Sequence, residues 1–379
     1  MNQQVVLDEK WMRHALNLAR LAWGATHPNP MVGAVLVDAE NQVISEAYHH
    51  RAGELHAERL ALQQVTLSPE LAKAATLYVT LEPCCTQGRT PPCTAIILEK
   101  GIRRVVVGAI DPNPDHCSRG IELLREQGVE VITGVLEGEC RALNPIFHHR
   151  MQVRKPLIAL KTAVTLDGKV ATAAGMSKWI TGATARQHVM HWRRYFPAVG
   201  VGAGTVLSDN PSLTVREPGR EILGRVRYVF DRSLRTVSRM DSLQVFTDQW
   251  AEQTCLVTDE RHAESLLAPY RSKGIQILQL PLSGDVFPLQ LFHEHCMQRD
   301  IPGIYLEGGP GLVRSLLAVK GIDYLFHYQA PKLFASHVAP GFCDGLAIER
   351  PDDAPFVVDP QFEILGTDVL THGFLNYPV

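Results

Sequence analysis

Apolar positions along the chain alternate between two rhythms, one helical and one extended. Met12, Ala15, Leu16 and Ala19 recur at helical spacing and predict an amphipathic helix over 8–23, with Asp8 as its cap. Two prolines flanking Asn29 then make a stiff, non-helical turn. Apolar runs predict strands at 32–37 and 43–48, the second ending at His49-His50-Arg51. Leu55, Leu60, Ala61 and Leu62 open a helix, and Ala75 to Leu81 reads as a strand. Helices over 94–100 and 120–127 alternate with strands at 105–107 and 129–132. Alternation of this kind implies a three-layer α/β fold.

A polar, basic stretch between Asn144 and Pro156 interrupts the pattern and reads as a connector. It divides the chain into an expected first domain over 1–147 and a second over 155–379. In the second, strands are predicted at 157–163, 198–202, 303–307, 324–329 and 362–365, with helices over 183–195 and 312–319. Gly200 falls inside one of these strands and is expected to weaken it. Glycine-rich turns at 202–206 and 308–311 each stand between a strand and a helix, where backbone N–H groups meet anions. Taken alone, most such turns are merely tight. The halves show no internal repeat.

Composition narrows the function. A chain of 379 residues with 45% apolar content supports two sizeable cores. Its 37 basic and 40 acidic residues are interspersed and sum to −3, which excludes a bulk field for nucleic acid or an anionic membrane surface. No apolar run reaches the length of a membrane span, and Met1-Asn2-Gln3-Gln4 lacks the basic start of a signal peptide. Eight cysteines, three of them crowded into one motif, fit metal use in a reducing compartment better than a disulfide framework. The expected location is the cytoplasm.

That motif carries the chemistry. His56-Ala57-Glu58 opens a helix, and Glu82-Pro83-Cys84 follows a strand, with Cys93 downstream. One imidazole and two thiolates make the three protein ligands of a catalytic Zn²⁺ site, which keeps its fourth position for water. Bound zinc brings that water's pKa towards neutrality, and Glu58 is placed to shuttle its protons without ligating the metal. Cys85 adjoins Cys84 and competes for the role, but Cys84 follows the proline as such motifs require. Taken singly, a His-x-Glu pair is common on solvated faces and a cysteine is usually a small core residue. Their combination after a strand makes zinc the stronger reading.

Together with Thr26-x-Pro28-Asn29-Pro30-x-Val32-Gly33, Gly88-Arg89-Thr90-Pro91-Pro92-Cys93 and Asp111-Pro112-Asn113-Pro114, these blocks resemble the bifunctional deaminase/reductase family of riboflavin biosynthesis. The second half resembles the same family at Lys161-x-Ala163-x-x-Leu166-Asp167-Gly168-Lys169, Trp179-Ile180-Thr181-Gly182, Gly202 to Val206, Asp209 to Arg216, Glu307-Gly308-Gly309 and Ala330-Pro331-Lys332-Leu333. Residues 217–300 match only loosely.

The resemblance implies a cytidine-deaminase-like αβα domain followed by a dihydrofolate-reductase-like α/β domain. It implies zinc-dependent hydrolysis of the 2-amino group of a phosphoribosylamino-pyrimidine, then NADPH reduction of the ribosyl to a ribityl chain. By matching position, His56, Cys84 and Cys93 hold the metal and Glu58 is catalytic. Asn29 meets the base edge and Arg89 the substrate phosphate. Ala163, Trp179, Thr205, Asp209, Gly309, Pro310 and Gly311 hold the nucleotide. Ser177, Arg193, Leu213, Arg216 and Glu307 hold the substrate, with both arginines at its phosphate. The blander readings are core packing for Trp179 and Leu213, and a surface helix charge for Arg193. The partner is a small phosphorylated pyrimidine, with no nucleic acid and no membrane, and the chain is expected to form a homo-oligomer through the reductase half.

The chain departs from the family pattern at Ala22, Ser45, Ala47, Arg59, Cys85-Thr86, Pro197 and Arg232. Arg232 stands where a cofactor-facing serine is usual, and either pairs with the 2′-phosphate of NADPH or blocks the site. A deaminase with a decayed reductase, or a paralogue acting on a related pyrimidine, is therefore the first rival. A non-catalytic nucleotide-binding module is the second.

Overall fold

The computed structural model describes residues 3–87, 91–114, 117–282, 286–343 and 346–378, and the chain divides into two compact units between Lys155 and Pro156. Among the described residues no helix is long and apolar enough to cross a membrane.

The first unit runs α1 (Gln3–Arg20), β1 (Gly33–Val37), β2 (Val43–Tyr48), α2 (Ala57–Gln63), α3 (Pro69–Ala74), β3 (Thr76–Leu81), α4 (Cys93–Glu99), β4 (Arg104–Ala109), α5 (Arg119–Glu126), β5 (Glu130–Thr133), α6 (Glu137–Leu143) and α7 (Pro145–Val153). Its sheet has the order β2-β1-β3-β4-β5, antiparallel on both sides of β1 and parallel from β3 to β5. α1 and α6 pack together against it, while α2, α4 and α5 form the other helical group, giving the three layers expected. Gly33 is what lets α1 lie flat on β1, because a Cβ there would sit 2.0 Å from the Ala15 carbonyl oxygen.

Two expectations need correction here. Asp8 does not cap α1, which starts at Gln3. It lies buried within the helix and accepts from Arg104 Nη2 (2.8 Å) on β4 and Tyr78 OH (2.8 Å) on β3. Those partners are far off in sequence, so a local capping reading overlooks them. The stretch read as a connector is largely α7. Pro145 sits in its first turn, where a missing N–H costs nothing, and Ile146, Phe147 and His148 are buried.

The second unit opens with β6 (Leu157–Thr165), α8 (Ala183–Tyr195), β7 (Ala198–Gly202) and α9 (Ala203–Asp209). Next come β8 (Val226–Phe230), α10 (Gln244–Thr247), β9 (Thr254–Asp259), α11 (Glu264–Arg271), β10 (Gln276–Leu280) and α12 (Leu289–Gln298). It closes with β11 (Gly303–Leu306), α13 (Pro310–Leu317), β12 (Tyr324–Ala330), β13 (Phe356–Val357), β14 (Gln361–Leu365) and β15 (Asp368–Asn376). The sheet order is β10-β9-β8-β7-β11-β6-β12-β15-β13, with β14 also on β15. It is parallel from β10 to β12 and antiparallel around β15.

Gly200 does not weaken β7, which pairs on both edges. A Cβ at that position would lie 2.9 Å from Leu306 Cδ1 and 3.2 Å from Phe230 Cε2, so the missing side chain makes room for its neighbours. Pro197 stands immediately before β7, where proline removes no ladder bond.

Candidate active sites

Two helix starts and one strand end converge in the first unit. His56 is the cap residue of α2, Cys93 opens α4, and Cys84 lies just past β3. His56 Nδ1 is 3.5 Å from Cys84 Sγ and 3.4 Å from Cys93 Sγ, and the three ligand atoms lie within 4.8 Å of one another. Tetrahedral zinc, with Zn–S near 2.3 Å and Zn–N near 2.0 Å, separates a nitrogen and a sulfur ligand by roughly 3.5 Å. The donor set and its spacing therefore fit zinc, and this is the one such group among the described residues. Cys85 is outside it. The Cys84–Cys93 loop is closed by Cys93 N donating to Cys84 Sγ (3.3 Å) and Thr94 N donating to the Cys84 carbonyl (3.2 Å). The hydrogen bond from Cys93 holds the Cys84 thiol well below its usual pKa, and the same bond and burial push Cys93 up.

Glu58, in the first turn of α2, is buried, and burial raises its carboxyl pKa against the opposing pull of His56. A carboxyl beside the metal ligands, neither strongly acidic nor solvated, suits proton transfer. Asn29 Nδ2 lies 3.1 Å from His49 Nε2, whose Nδ1 is 3.0 Å from the Leu55 carbonyl. The His49 ring stands edge-on to that of His56, with centroids 5.4 Å apart. His49 was not among the expected site residues; in the sequence it is only the end of a strand. Arg89 lies outside the described residues. Thr86 is exposed on the loop after Cys84. Arg59, one of the departures, donates to the Pro92 carbonyl (3.2 Å) and so ties α2 to the start of α4.

Glu82 was quoted only as part of the motif, yet it organises the loops behind the metal ligands. Its buried carboxylate accepts from four backbone N–H groups, those of Asp111, Ser118, Gly120 and Ile121.

In the second unit, one cavity of about 1080 Å³ gathers every residue expected to hold the nucleotide or its substrate. Ala163, Ser177, Trp179, Arg193, Thr205, Asp209, Leu213, Arg216, Glu307, Gly309, Pro310 and Gly311 all line it. The volume slightly exceeds the roughly 300–1,000 Å³ usual for one small ligand, leaving room for cofactor and substrate together. The two glycine turns lie side by side on its wall, since they follow the neighbouring strands β7 and β11: a Cβ on Gly309 would lie 3.1 Å from Thr205 Oγ1. These bare backbone turns fit a nucleotide's phosphates.

Trp179 is not a core residue but 65% exposed, with the Arg186 guanidinium 4.7 Å from its ring centroid. Leu213 is both wall and core. Arg193 is no surface charge. It is buried, and three of its N–H groups are spent on Glu307 Oε1 (from Nε, 2.7 Å, and Nη2, 2.6 Å) and the Thr214 carbonyl (from Nη1, 2.7 Å). Lys161, also on the wall, stands beside Glu307 and was not among the expected site residues. Burial alone would raise the Glu307 carboxyl, but Arg193 and Lys161 outweigh it and hold it ionised. Ser177 Oγ donates to Asp209 Oδ1 (3.3 Å). Arg232 is exposed on the cavity wall.

A His/Cys/Cys centre beside a buried glutamate defines the first unit as a zinc-type deaminase, and the doubly flanked parallel sheet with its cavity is a reductase unit. Comparison with known proteins agrees on both. Residues 6–109 match the cytidine and deoxycytidylate deaminase zinc-binding region, and residues 156–373 match the RibD C-terminal domain. The chain is 38% identical over 367 residues to riboflavin biosynthesis protein RibD of Actinobacillus pleuropneumoniae, covering 97% of this chain and 95% of that one. It is 40% identical over 364 residues to RibD of Aquifex aeolicus, covering 96% and 97%. Among solved structures, the diaminohydroxyphosphoribosylaminopyrimidine deaminase/5-amino-6-(5-phosphoribosylamino)uracil reductase of Thermotoga maritima superposes with a TM-score of 0.81 at 34% identity, covering 99% of this chain and 100% of that one. Acinetobacter baumannii RibD gives 0.81 at 31%, covering 98% and 99%. The chain belongs to the RibD family of riboflavin biosynthesis and carries its deaminase and reductase activities.

Proposed function

We propose that the first unit hydrolyses 2,5-diamino-6-(5-phosphoribosylamino)pyrimidin-4-one to the uracil, releasing ammonia, and that the second reduces the ribosyl group with NADPH. The observation that carries this reading is the spacing of His56 Nδ1, at 3.4–3.5 Å from both sulfurs, in one chain with a cavity large enough for two ligands. The names of the solved relatives support the substrate assignment.

His56, Cys84 and Cys93 would hold zinc, which when bound would supply an activated water. Glu58, buried beside them, would carry a proton to the departing amino nitrogen. Asn29 bonds the edge of the base, and His49, bonded to its amide, holds it in place. Arg89 serves the substrate phosphate. In the second unit bound NADPH would supply the hydride. Ala163, Trp179, Thr205, Asp209 and the Gly309–Gly311 turn hold the nucleotide, while Ser177, Leu213, Arg216 and Glu307 hold the substrate. Arg193, most of whose donors are already engaged, orients Glu307 and offers its remaining N–H groups to the phosphate. The chain assembles as a homo-oligomer through the second unit and works in the cytoplasm, a location that eight free cysteines support.

The test is purified protein with the phosphoribosylamino-pyrimidine, with and without NADPH. Ammonia should appear in both cases, and NADPH should be consumed only after deamination. Ammonia without NADPH consumption would replace this reading with a deaminase bearing an inactive second unit.

A further inference from the structure

The segment from Ser177 to Thr181 forms one wall of the reductase cavity, and backbone pairing does nothing to hold it there. Among the described residues, none of its N–H or C=O groups bonds to another backbone group. Side chains fasten it instead. Lys332 Nζ donates to two successive carbonyls, those of Trp179 (2.9 Å) and Ile180 (2.6 Å). Arg186 Nη1 on α8 donates to the Thr181 carbonyl (2.7 Å), and buried Asp368 at the start of β15 accepts from Gly182 N (2.6 Å). At the other end Ser177 and Lys178 reach Asp209. Buried Ile180 adds an apolar anchor between these ties.

Lys332 itself lies outside the cavity wall, just past β12. Its backbone is fixed: its carbonyl accepts from Leu166 N (2.8 Å), and Phe334 N and Ala335 N donate to the Asp167 carboxylate (3.2 and 2.8 Å). An ammonium group has three donors and no acceptor, so one side chain on this base can hold both carbonyls at once. It thereby sets the peptide planes on both sides of Ile180. Those planes decide where the Trp179 ring stands and, two residues back, where the Ser177 hydroxyl stands. Trp179 is a nucleotide residue and Ser177 a substrate residue in the reading above, so a single tie governs both ligands.

We propose that Lys332 is a positioning residue of the reductase, which acts on neither ligand directly and keeps the 177–181 segment in the arrangement that binds both. The inference rests on the roles given to Trp179 and Ser177 above and goes beyond them. A segment released from Lys332 occupies that arrangement only part of the time, and each ligand's apparent Kd rises by the reciprocal of the fraction. Whichever ligand binds first orders the segment for the other. Loss of the tie therefore creates positive cooperativity between the two ligands, which a general loss of stability does not.

NADP⁺ and 5-amino-6-(5-phosphoribosylamino)uracil cannot react with each other, so both can be titrated calorimetrically into the full-length chain, alone and with the other saturating. Lys332→Met keeps the length of the side chain and removes its donors. It should raise both dissociation constants by one common factor of about tenfold, and saturation with either ligand should bring the other back to within about twofold of wild type. In turnover kcat should stay within about twofold, with each KM raised only while the other ligand is below saturation. Circular dichroism and the melting midpoint should match wild type. Unchanged dissociation constants, a rise for one ligand alone, or a rise that the second ligand does not relieve would overturn the inference and leave both ligand sites in place. A wild type that binds neither compound would overturn the reading of the cavity on which the inference rests.

Discussion

Replacing Glu82 by glutamine keeps its shape and removes half of its acceptors. Oε2 accepts from Asp111 N (3.1 Å) and Ser118 N (3.0 Å), and Oε1 from Gly120 N (2.9 Å) and Ile121 N (3.4 Å). In Glu82→Gln one oxygen becomes an NH₂ that confronts two N–H donors, so two bonds vanish and two amides lose their partner. A hydrogen bond to a charged group contributes about 1.5–3 kcal/mol, which sets the loss at about 3–6 kcal/mol. Against a domain stability of about 5–15 kcal/mol this is severe. Because all four donors lie within residues 111–121, the cost falls on local opening of that stretch. Opening reaches the metal site through Gly120, so tightly packed that a Cβ there would lie 2.2 Å from the Pro83 carbonyl, one residue before the ligand Cys84. Hydrogen exchange by mass spectrometry should show residues 118–121 losing protection by a factor of about 10²–10⁴, with weaker zinc retention in a chelator competition. Wild-type protection at those amides, with an unchanged melting midpoint, would refute the reasoning.

Glu58→Gln should keep stoichiometric zinc and slow ammonia release by about 10²–10⁴-fold, and normal turnover in that variant would remove its proton-transfer role. Stripping zinc with a chelator should stop deamination yet leave NADPH oxidation with the already deaminated pyrimidine intact; parallel loss of both activities would count against independent sites. Among the described residues neither ring nitrogen of buried His148 finds a hydrogen-bond partner, and burial lowers its pKa from 6.5 to about 4. The unfolded chain then takes up a proton below about pH 6.5 that the folded chain refuses until about pH 4, so stability declines across that window by about 3 kcal/mol. Thermal unfolding at pH 7 and pH 5 should show a smaller decline in His148→Leu, and identical declines would dismiss the claim. Gly33→Ala should destabilise the first unit by about 3 kcal/mol or more, since its Cβ meets backbone rather than a yielding side chain; a melting midpoint equal to wild type would contradict the packing argument.

The metal centre was legible because its parts are local signals: a histidine at a helix start, a cysteine after a strand, and a second cysteine at the next helix start. Each sits where the backbone changes type, and such changes are what apolar periodicity marks. The strands and helices predicted around them fall within two or three residues of those observed for most elements, except α1. What escaped was held by partners distant in sequence. Asp8 reads as a cap until Arg104 and Tyr78 arrive from neighbouring strands. α7 reads as linker because its proline and basic residues outweigh the buried Ile146 and Phe147.

The second unit was read less completely, and Arg227 gives the reason. It is the second residue of β8, fully buried, with its guanidinium bridging Asp248 Oδ1 and Oδ2 (2.9 and 2.7 Å) and donating to Thr254 Oγ1 (3.0 Å). A charge inside a five-residue strand breaks the apolar pattern, and only the folded neighbourhood shows that the charge is neutralised. β9 and β10 inherit the difficulty, since Thr254, Thr258, Gln276 and Gln279 interrupt their apolar runs. That region supplies β8, β9 and β10, whose near end bears Arg232 and Arg235. Glu307 follows the same logic at the end of β11. A carboxylate after a strand carries no local sign of its charge, which is decided by Arg193, 114 positions away in sequence, and by Lys161 on β6. Ligand geometry in the deaminase unit is thus written into short motifs, whereas charge in the reductase cavity is a property of packed strands, and only coordinates reveal it.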